Sequence, residues 1–390
     1  MSVAENEPTV SVVMANHNGS AYLNAAITSV LAQSLTALEL IIVDDGSTDD
    51  SAARIAAAAD NDPRIKPIFC PQNIGVGAAR NRALEAAKGR HIAIIDADDL
   101  IHPNRLEQLV TYSEAENAPI VADDLIHFSP DGAPPERLFS KSRFDAPAWV
   151  SLEDLLADHF KGGPNHLGYL KPLIRRESLG DLRYREDLPV GEDFDLLLRL
   201  AAKGHRMHVL PEAWYLYRRH AGSVSHRLRA GPAQAMARAM VDFRDETAPQ
   251  NPVVTTRLNR RIARMTRSAQ EAAILDALKA GRLWPALTGS IWHPSAAFAA
   301  ANALTLASLG RLRRQPKGGH RSPLLLIAPG INMPTVPTSW DVQRLTAVGE
   351  MTSDARADLT AITADRNRPV LSYGKREAAL AGFIAVAERL

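Results

Sequence analysis

Cysteine is nearly missing from this chain. One residue, Cys70, stands among 390, which excludes an internal disulfide and suits a reducing compartment. The first residues include Glu5 and Glu7 but no apolar h-region, so a secretory signal is not expected and the reading is cytoplasmic. A full dinucleotide fingerprint is missing too. Gly75 and Gly77 supply two of its glycines, but Arg80 holds the third position, where close helix–strand packing needs Gly or Ala. That excludes a nicotinamide dehydrogenase. Net charge is almost absent at +1, and nucleic acid is not an expected partner. The balance conceals an asymmetry: Arg218 to Arg321 holds 18 Lys/Arg against 5 Asp/Glu, a local excess of +13, so the remainder sums to −12.

What is present is alternation. Val10 to Ala15 is an apolar run fit for a buried parallel strand, followed by the loop Asn16-His17-Asn18-Gly19. Leu23, Ile27, Val30 and Leu31 mark one face of a helix. Leu38 to Val43 reads as a second strand ending in Asp44-Asp45-Gly46-Ser47, which is turn and N-cap chemistry. Ile65 to Phe69 is a weaker strand, Ala78 to Lys88 a helix, and Ile92 to Ile95 a fourth strand. Such alternation predicts an α/β unit with a mainly parallel sheet.

The fourth strand runs into Asp96-Ala97-Asp98-Asp99. Carboxylates at the carboxyl end of a strand sit where α/β sheets bind ligands. Asp-x-Asp can offer hard oxygens to a divalent ion; alone it is equally a solvated turn capping the next helix. Further on, Asp123-Asp124 is read as the end of an apolar patch, Gly168 to Ile174 as a strand, and His205–Leu210 and Trp214–Arg218 as two strands. Between them Leu196, Leu197 and Leu200 mark a helix that carries Glu192 and Asp193 in its first turn, where the dipole favours their ionised forms.

Taken together, these pieces resemble the family 2 glycosyltransferases. The matching stretches are Val10 to Asn18, Ile42 to Asp49, Asn73-Ile74-Gly75 with Ala79-Arg80-Asn81, Asp96 to Asp99, and Gly191-Glu192-Asp193. The resemblance covers about residues 1–225 and implies the GT-A fold, a mixed, mainly parallel sheet flanked by helices, with a C-terminal helical extension. In overall flavour it lies near bacterial exopolysaccharide transferases of the succinoglycan type.

Carried over by residue, the resemblance implies that Ala15, Asn16, Asn18, Asp44 and Asp45 hold uracil and ribose. Arg80, Asp96, Ala97 and Asp98 serve the nucleotide sugar. Asp98 and Asp99 bind Mn²⁺ or Mg²⁺, with His220 as a further contact to metal and phosphates. Asp193 is the catalytic base and Glu192 its neighbour. The loop Ala15-Asn16-His17-Asn18 departs from the Pro and aromatic that many members place there, which touches base selectivity. The implied reaction moves glucose or another hexose from a UDP-sugar donor to a saccharide acceptor, lipid-linked, with inversion, in bacterial surface-polysaccharide synthesis. The alternative is a catalytically silent nucleotide-sugar-binding or scaffold subunit.

The remainder reads as a basic, mostly helical extension over 226–315 and a Pro/Gly-rich linker with small helices over 316–390. Helix is expected from Pro232 to Arg267 and again from Glu271 to Lys279. Leu283 to Leu309 carries no Asp, Glu, Lys or Arg and is long enough for a membrane span. Pro285, His293, Pro294 and Asn302 weaken insertion, so two helices broken at Pro294 are expected. With Trp284, Trp292 and flanking arginines it suits contact with an anionic membrane surface. Packing against the acidic sheet domain, or a homodimer interface, fits the same residues.

Overall fold

The computed structural model describes residues 7–129, 135–220 and 229–279, together with three short strands further on. The first half alternates through β1 (Val10–Asn16), α1 (Ser20–Leu31), β2 (Leu38–Asp44), α2 (Ser51–Asn61), β3 (Ile65–Phe69), α3 (Val76–Ala86) and β4 (His91–Ile94). All seven residues of β2 are buried, as are six of seven in β1. Near-continuous apolar strands are what helices on both faces of a parallel sheet demand.

The second half is less regular. It runs through β5 (Leu100–Ile101), α4 (Arg105–Ala115), β6 (Ile120–Phe128), β7 (Glu136–Arg137), β8 (Ala148–Val150) and α5 (Leu152–Leu156). There follow the hairpin β9 (His159–Phe160) and β10 (Gly163–Pro164), a 3₁₀ turn at Leu167–Tyr169, β11 (Leu173–Arg175), α6 (Arg176–Leu179), α7 (Glu192–Ala202) and β12 (Met207–Arg218). Strand order in the sheet is β3-β2-β1-β4-β11-β6-β12-β5, with β7 beside β6 and β8 beside β12. The strands β3, β2, β1 and β4 are mutually parallel, while β11 runs against both β4 and β6.

Because β2 lies on one side of β1 and β4 on the other, the chain reverses its direction of travel across the sheet at β1. The crevice beyond the carboxyl ends of β1 and β4 is therefore the topological switch point, where open α/β sheets bind ligands. Asn16 and Asp96 lie there.

Three details correct the expectations. Asp123 and Asp124 do not end an apolar patch; they lie inside β6, 1% and 0% exposed, each answered by an arginine. The two strands expected over 205–218 are one strand, β12, whose pairing with β6 slips between Leu210 and Tyr215 at the Pro211 irregularity. The strand expected over 168–174 is reduced to β11, the preceding residues coiling into the 3₁₀ turn.

The helices α8 (Ala230–Thr247) and α9 (Pro252–Lys279) follow. The expected helix over 232–267 is interrupted at Ala248, in the left-handed region, and restarts at Pro252, a position proline favours at a helix start. Met240, Phe243, Val254 and Leu258 join the same apolar core as β1, β2 and α3. On α9, Arg260 and Arg264 reach Asp158, and Arg257 donates to the Glu153 carbonyl. These helices thus pack on the sheet unit. The last described strands, β13 (Leu324–Ile327), β14 (Asp341–Arg344) and β15 (Val370–Tyr373), pair in parallel in the order β14-β13-β15. Strands therefore occur where only linker and helices were expected; short apolar runs such as Leu-Leu-Leu-Ile are strand signals when bounded by turn residues. Leu283 to Leu309 lies outside the described residues. Among the described residues no helix is long and apolar enough to cross a membrane.

Candidate active site

After β4 the chain turns, and the three aspartates it carries meet different surroundings. Asp99 is 1% exposed. The Tyr215 hydroxyl donates to its Oδ2 at 2.7 Å and the Arg218 amide to its Oδ1 at 2.7 Å. Burial, with Asp98 and Asp96 nearby, pushes its pKa well above the ordinary carboxylate range. The side chain of Asp98 is 35% exposed, with His220 Nε2 2.9 Å from its Oδ2. The Arg218 Nε donates to the Asp98 carbonyl at 2.6 Å, and its guanidinium lies between the rings of Tyr22 and Phe128. One oxygen from each of Asp96, Asp98 and Asp99 falls within 4.8 Å of the others. Carboxylate oxygens so grouped, with an imidazole beside them, fit a hard divalent cation.

Asp96 turns the other way, into a closed ring of charges. The Arg80 Nη2 meets its Oδ1 at 2.7 Å and the Lys171 Nζ its Oδ2 at 2.7 Å. The same two cations continue to Asp193: Lys171 Nζ to Oδ2 at 2.6 Å, Arg80 Nη1 to Oδ1 at 2.9 Å. Arg80 also pairs with Glu192 at 2.6 Å. The start of α3 and the first turn of α7, 112 residues apart, are thereby locked to the end of β4. Two cations against three carboxylates leave a local charge of −1. Burial disfavours the ionised form of Asp193, but Arg80 and Lys171 outweigh it and hold its pKa at about 2. Glu192 moves upward, because burial and the charge of Asp193 outweigh Arg80.

The loops after β1 and β2 interlock. Asn16 Nδ2 donates to Asp44 Oδ1 at 3.0 Å, and the Ser47 hydroxyl donates to the same oxygen at 2.6 Å. Asp45 accepts from the Ile74 amide at 2.6 Å and the Gly75 amide at 3.0 Å. Asn18, exposed and at φ 54°, accepts from the Thr48 amide at 2.7 Å. Asp44 and Asp45 are each 3% exposed, so their carboxylates brace the loop while Ala15 and Asn18 face more openly. Gly46 sits at φ +64°, and a Cβ there would lie 2.4 Å from the Gln72 backbone; only glycine permits the approach.

The structure thus gathers Asp96, Ala97, Asp98, Asp99, Arg80, Glu192, Asp193 and His220 at one end of the sheet, and sets Ala15, Asn16, Asn18, Asp44 and Asp45 on the adjoining loops. Sequence reasoning missed Lys171, whose signal was a lone cation within Leu170-Lys171-Pro172-Leu173; a lysine that is 7% exposed needs a partner. It also missed Tyr184, whose ring lies under the Arg80 guanidinium, 5.2 Å from centroid to Cζ. Behind them Arg105 and Asp123, both fully buried, pair at 2.8 Å, and Arg105 donates to the Lys171 carbonyl.

Residues 11–158 match the family model described as Glycosyl transferase family 2. Over 311 residues, 79% of this chain and 87% of the relative, the sequence is 34% identical to the succinoglycan biosynthesis protein ExoO of Rhizobium meliloti (strain 1021). It is 29% identical to the putative teichuronic acid biosynthesis glycosyltransferase TuaG of Bacillus subtilis (strain 168), over 56% of this chain and 82% of that one. Among solved structures, S. aureus TarS 1-349 in complex with UDP-GlcNAc superposes with a TM-score of 0.53 at 18% identity, covering 74% of this chain and 92% of that one. At that identity the likeness concerns the fold, which is GT-A.

Proposed function

The chain belongs to glycosyltransferase family 2, and from that premise we propose that it moves a hexose from a UDP-sugar to a hydroxyl of a saccharide acceptor with inversion. The observation that carries this reading is the ion ring, which ties Asp193 to Asp96 at the switch point and next to Asp98. One positioned carboxylate can take the acceptor proton as the new bond forms. A retaining double displacement would need two carboxylates flanking the same bond, and Glu192 instead faces Arg80. Asp98, with Asp99 and His220, would hold Mn²⁺ or Mg²⁺. When bound, that ion stabilises negative charge on the departing diphosphate as a Lewis acid. Ala15, Asn16 and Asn18 would contact uracil and ribose, with Asp44 and Asp45 fixing their loop.

Asp193 at about 2 is a weak base while Lys171 holds it. An acceptor hydroxyl that takes over the Lys171 contact would leave the carboxylate closer to the basicity the proton transfer wants. The names of the relatives, succinoglycan and teichuronic acid proteins, support bacterial polysaccharide assembly as the setting. A lipid-linked acceptor at the cytoplasmic membrane face follows from that setting. Residues 1–225 would form the catalytic unit, with α8 and α9 bracing it.

The test is UDP release and product formation from UDP-glucose with Mn²⁺ and an extracted lipid-linked acceptor fraction. Asp98→Asn keeps the shape and loses a charge, so Mn²⁺-dependent UDP affinity should disappear in a folded protein. Asp193→Asn should keep that affinity and lower transfer by about two to four orders of magnitude. UDP-glucose binding without turnover in the unaltered protein would instead establish the catalytically silent subunit.

A further inference from the structure

A cavity of about 300 Å³ has walls that include Lys141, His166, Tyr169, Tyr217 and Arg219. Two of its walls belong to the segments that hold the site. Tyr217 and Arg219 flank Arg218, whose guanidinium donates to the Asp98 carbonyl, and Arg219 precedes His220, which meets the Asp98 carboxylate. Tyr169, in the Leu167–Tyr169 turn, lines the cavity as well, two residues before Lys171. That turn packs on α7 so closely that a Cβ on Gly168 would lie 2.6 Å from the Phe194 ring, and Phe194 follows Asp193. The lining of the cavity is therefore continuous along the chain with the segment of the proposed metal site and with the segment beside the proposed base, the two segments an acceptor hydroxyl must reach.

Its charge is one-sided. Arg137 is answered by Asp124 at 2.8 Å, and Glu136 is exposed at the edge, accepting from the Ser140 hydroxyl at 2.9 Å. Lys141 and Arg219 are exposed and make no ion pair with a carboxylate of the described residues. Burial, and next the charge of Lys141, hold His166 below the ordinary histidine range, so the lysine lies within electrostatic reach of the turn. Tyr169 is 51% exposed. Aromatic walls with a few convergent polar groups are the usual make-up of a small-molecule site, and here two cations, Lys141 and Arg219, stand against one carboxylate, Glu136.

We propose that this cavity seats the acceptor and selects one bearing an anionic group, a carboxylate or a phosphate, which Lys141 and Arg219 meet while Tyr169 and Tyr217 cover the sugar. The proposal rests on the transferase reading above. It is tested by calorimetry on the full chain saturated with UDP and Mn²⁺, titrated with cellobiose, with glucuronosyl-glucose, and with cellobiose phosphate. One charged hydrogen-bond contact predicts that an anionic disaccharide binds about ten- to a hundredfold more tightly than cellobiose. A preference for the uronate identifies a carboxylate on the glycan, a preference for the phosphate identifies the carrier's phosphate; either supports the proposal. Lys141→Glu should abolish the preference, and Tyr169→Ala should weaken all three sugars, each with UDP affinity unchanged. Equal affinity for neutral and anionic sugars, no binding of any, or a preference that survives Lys141→Glu would overturn it. Failure of the unaltered protein to bind UDP would overturn the transferase reading instead.

Discussion

Lys171 decides how basic Asp193 can be. Its ammonium touches both Asp96 and Asp193, and those carboxylates raise its own pKa well above the ordinary value despite the cost of burial. Lys171→Met keeps the length of the side chain and removes the charge, leaving Arg80 alone among three carboxylates. Loss of an opposite charge at this range raises a carboxyl pKa by about 1 to 3 units. In the unaltered protein, with Asp193 at about 2, this group should contribute no acid limb to kcat/KM above about pH 3. In the variant a limb should enter the accessible range, moving upward because the proton is bound more tightly. A pH–rate series on both proteins checks this, and superimposable profiles would remove Lys171 from control of the base. The residues that touch were only partly readable in the sequence. Asp96 to Asp99 and Glu192-Asp193 announce themselves as clustered carboxylates at element ends. Lys171 and Tyr184 do not, because what makes them part of the site is a contact across the sheet and not a local pattern.

The same difference between local and long-range order explains which elements could be read. The helices and strands from β1 to β4 declare themselves by period, since β1, β2 and β4 are buried along nearly their whole length and the turns between elements carry Gly, Asn or Asp. The half from β6 to β12 is mixed in direction; β6 carries Asp123, which pairs with the buried Arg105 of α4, and β12 carries the slip near Pro211. Polar residues inside a strand read as its end, so that half lost its boundaries. One contact between elements there is open to test. Gly168 lets the 3₁₀ turn lie against Phe194, whose ring also carries the Arg261 guanidinium 4.2 Å from its centroid. Gly168→Ala places a methyl 2.6 Å from that ring and within 3.4 Å of the Phe194 Cβ, so the turn or the start of α7 that carries Phe194 must shift. Overpacking of this kind costs about 1–3 kcal/mol, and a misplacement near 1 Å can cost about 10² in rate. The expected result is a folded protein, with lowered Tm, that binds UDP normally and transfers up to about a hundredfold more slowly. Unaltered kcat in the Gly168→Ala variant would separate the turn from the chemistry.

At the scale of the whole molecule, the acid response follows from groups whose pKa differs between folded and unfolded chain. His102 joins β5 to α4; its Nδ1 accepts from the Asn104 amide at 3.2 Å and its carbonyl from Gln33 at 2.9 Å. Burial lowers its pKa from 6.5 to about 4. A base depressed on folding contributes stability that is present above the unfolded value and lost as pH falls through the folded one, here from 6.5 to about 4. The shift corresponds to at most about 3 kcal/mol, since protonating Nδ1 also removes the acceptor that Asn104 uses. Asp124 works in the opposite sense. Burial outweighs Arg137 and raises it to about 6, so its contribution is present below about 4 and lost as pH rises through about 6. Asp193 adds a third window, present above 3.8 and lost only as pH falls towards about 2. A wild-type curve alone mixes these, but a difference between two proteins isolates one of them. His102→Asn keeps an acceptor near the position of Nδ1 and cannot take up the proton. Between pH 6.5 and about 4 the Tm of the variant should fall less steeply than that of the unaltered protein, and below about pH 4 the two curves should run parallel. Parallel curves across the upper window would show that His102 is not the group that makes the fold acid-sensitive.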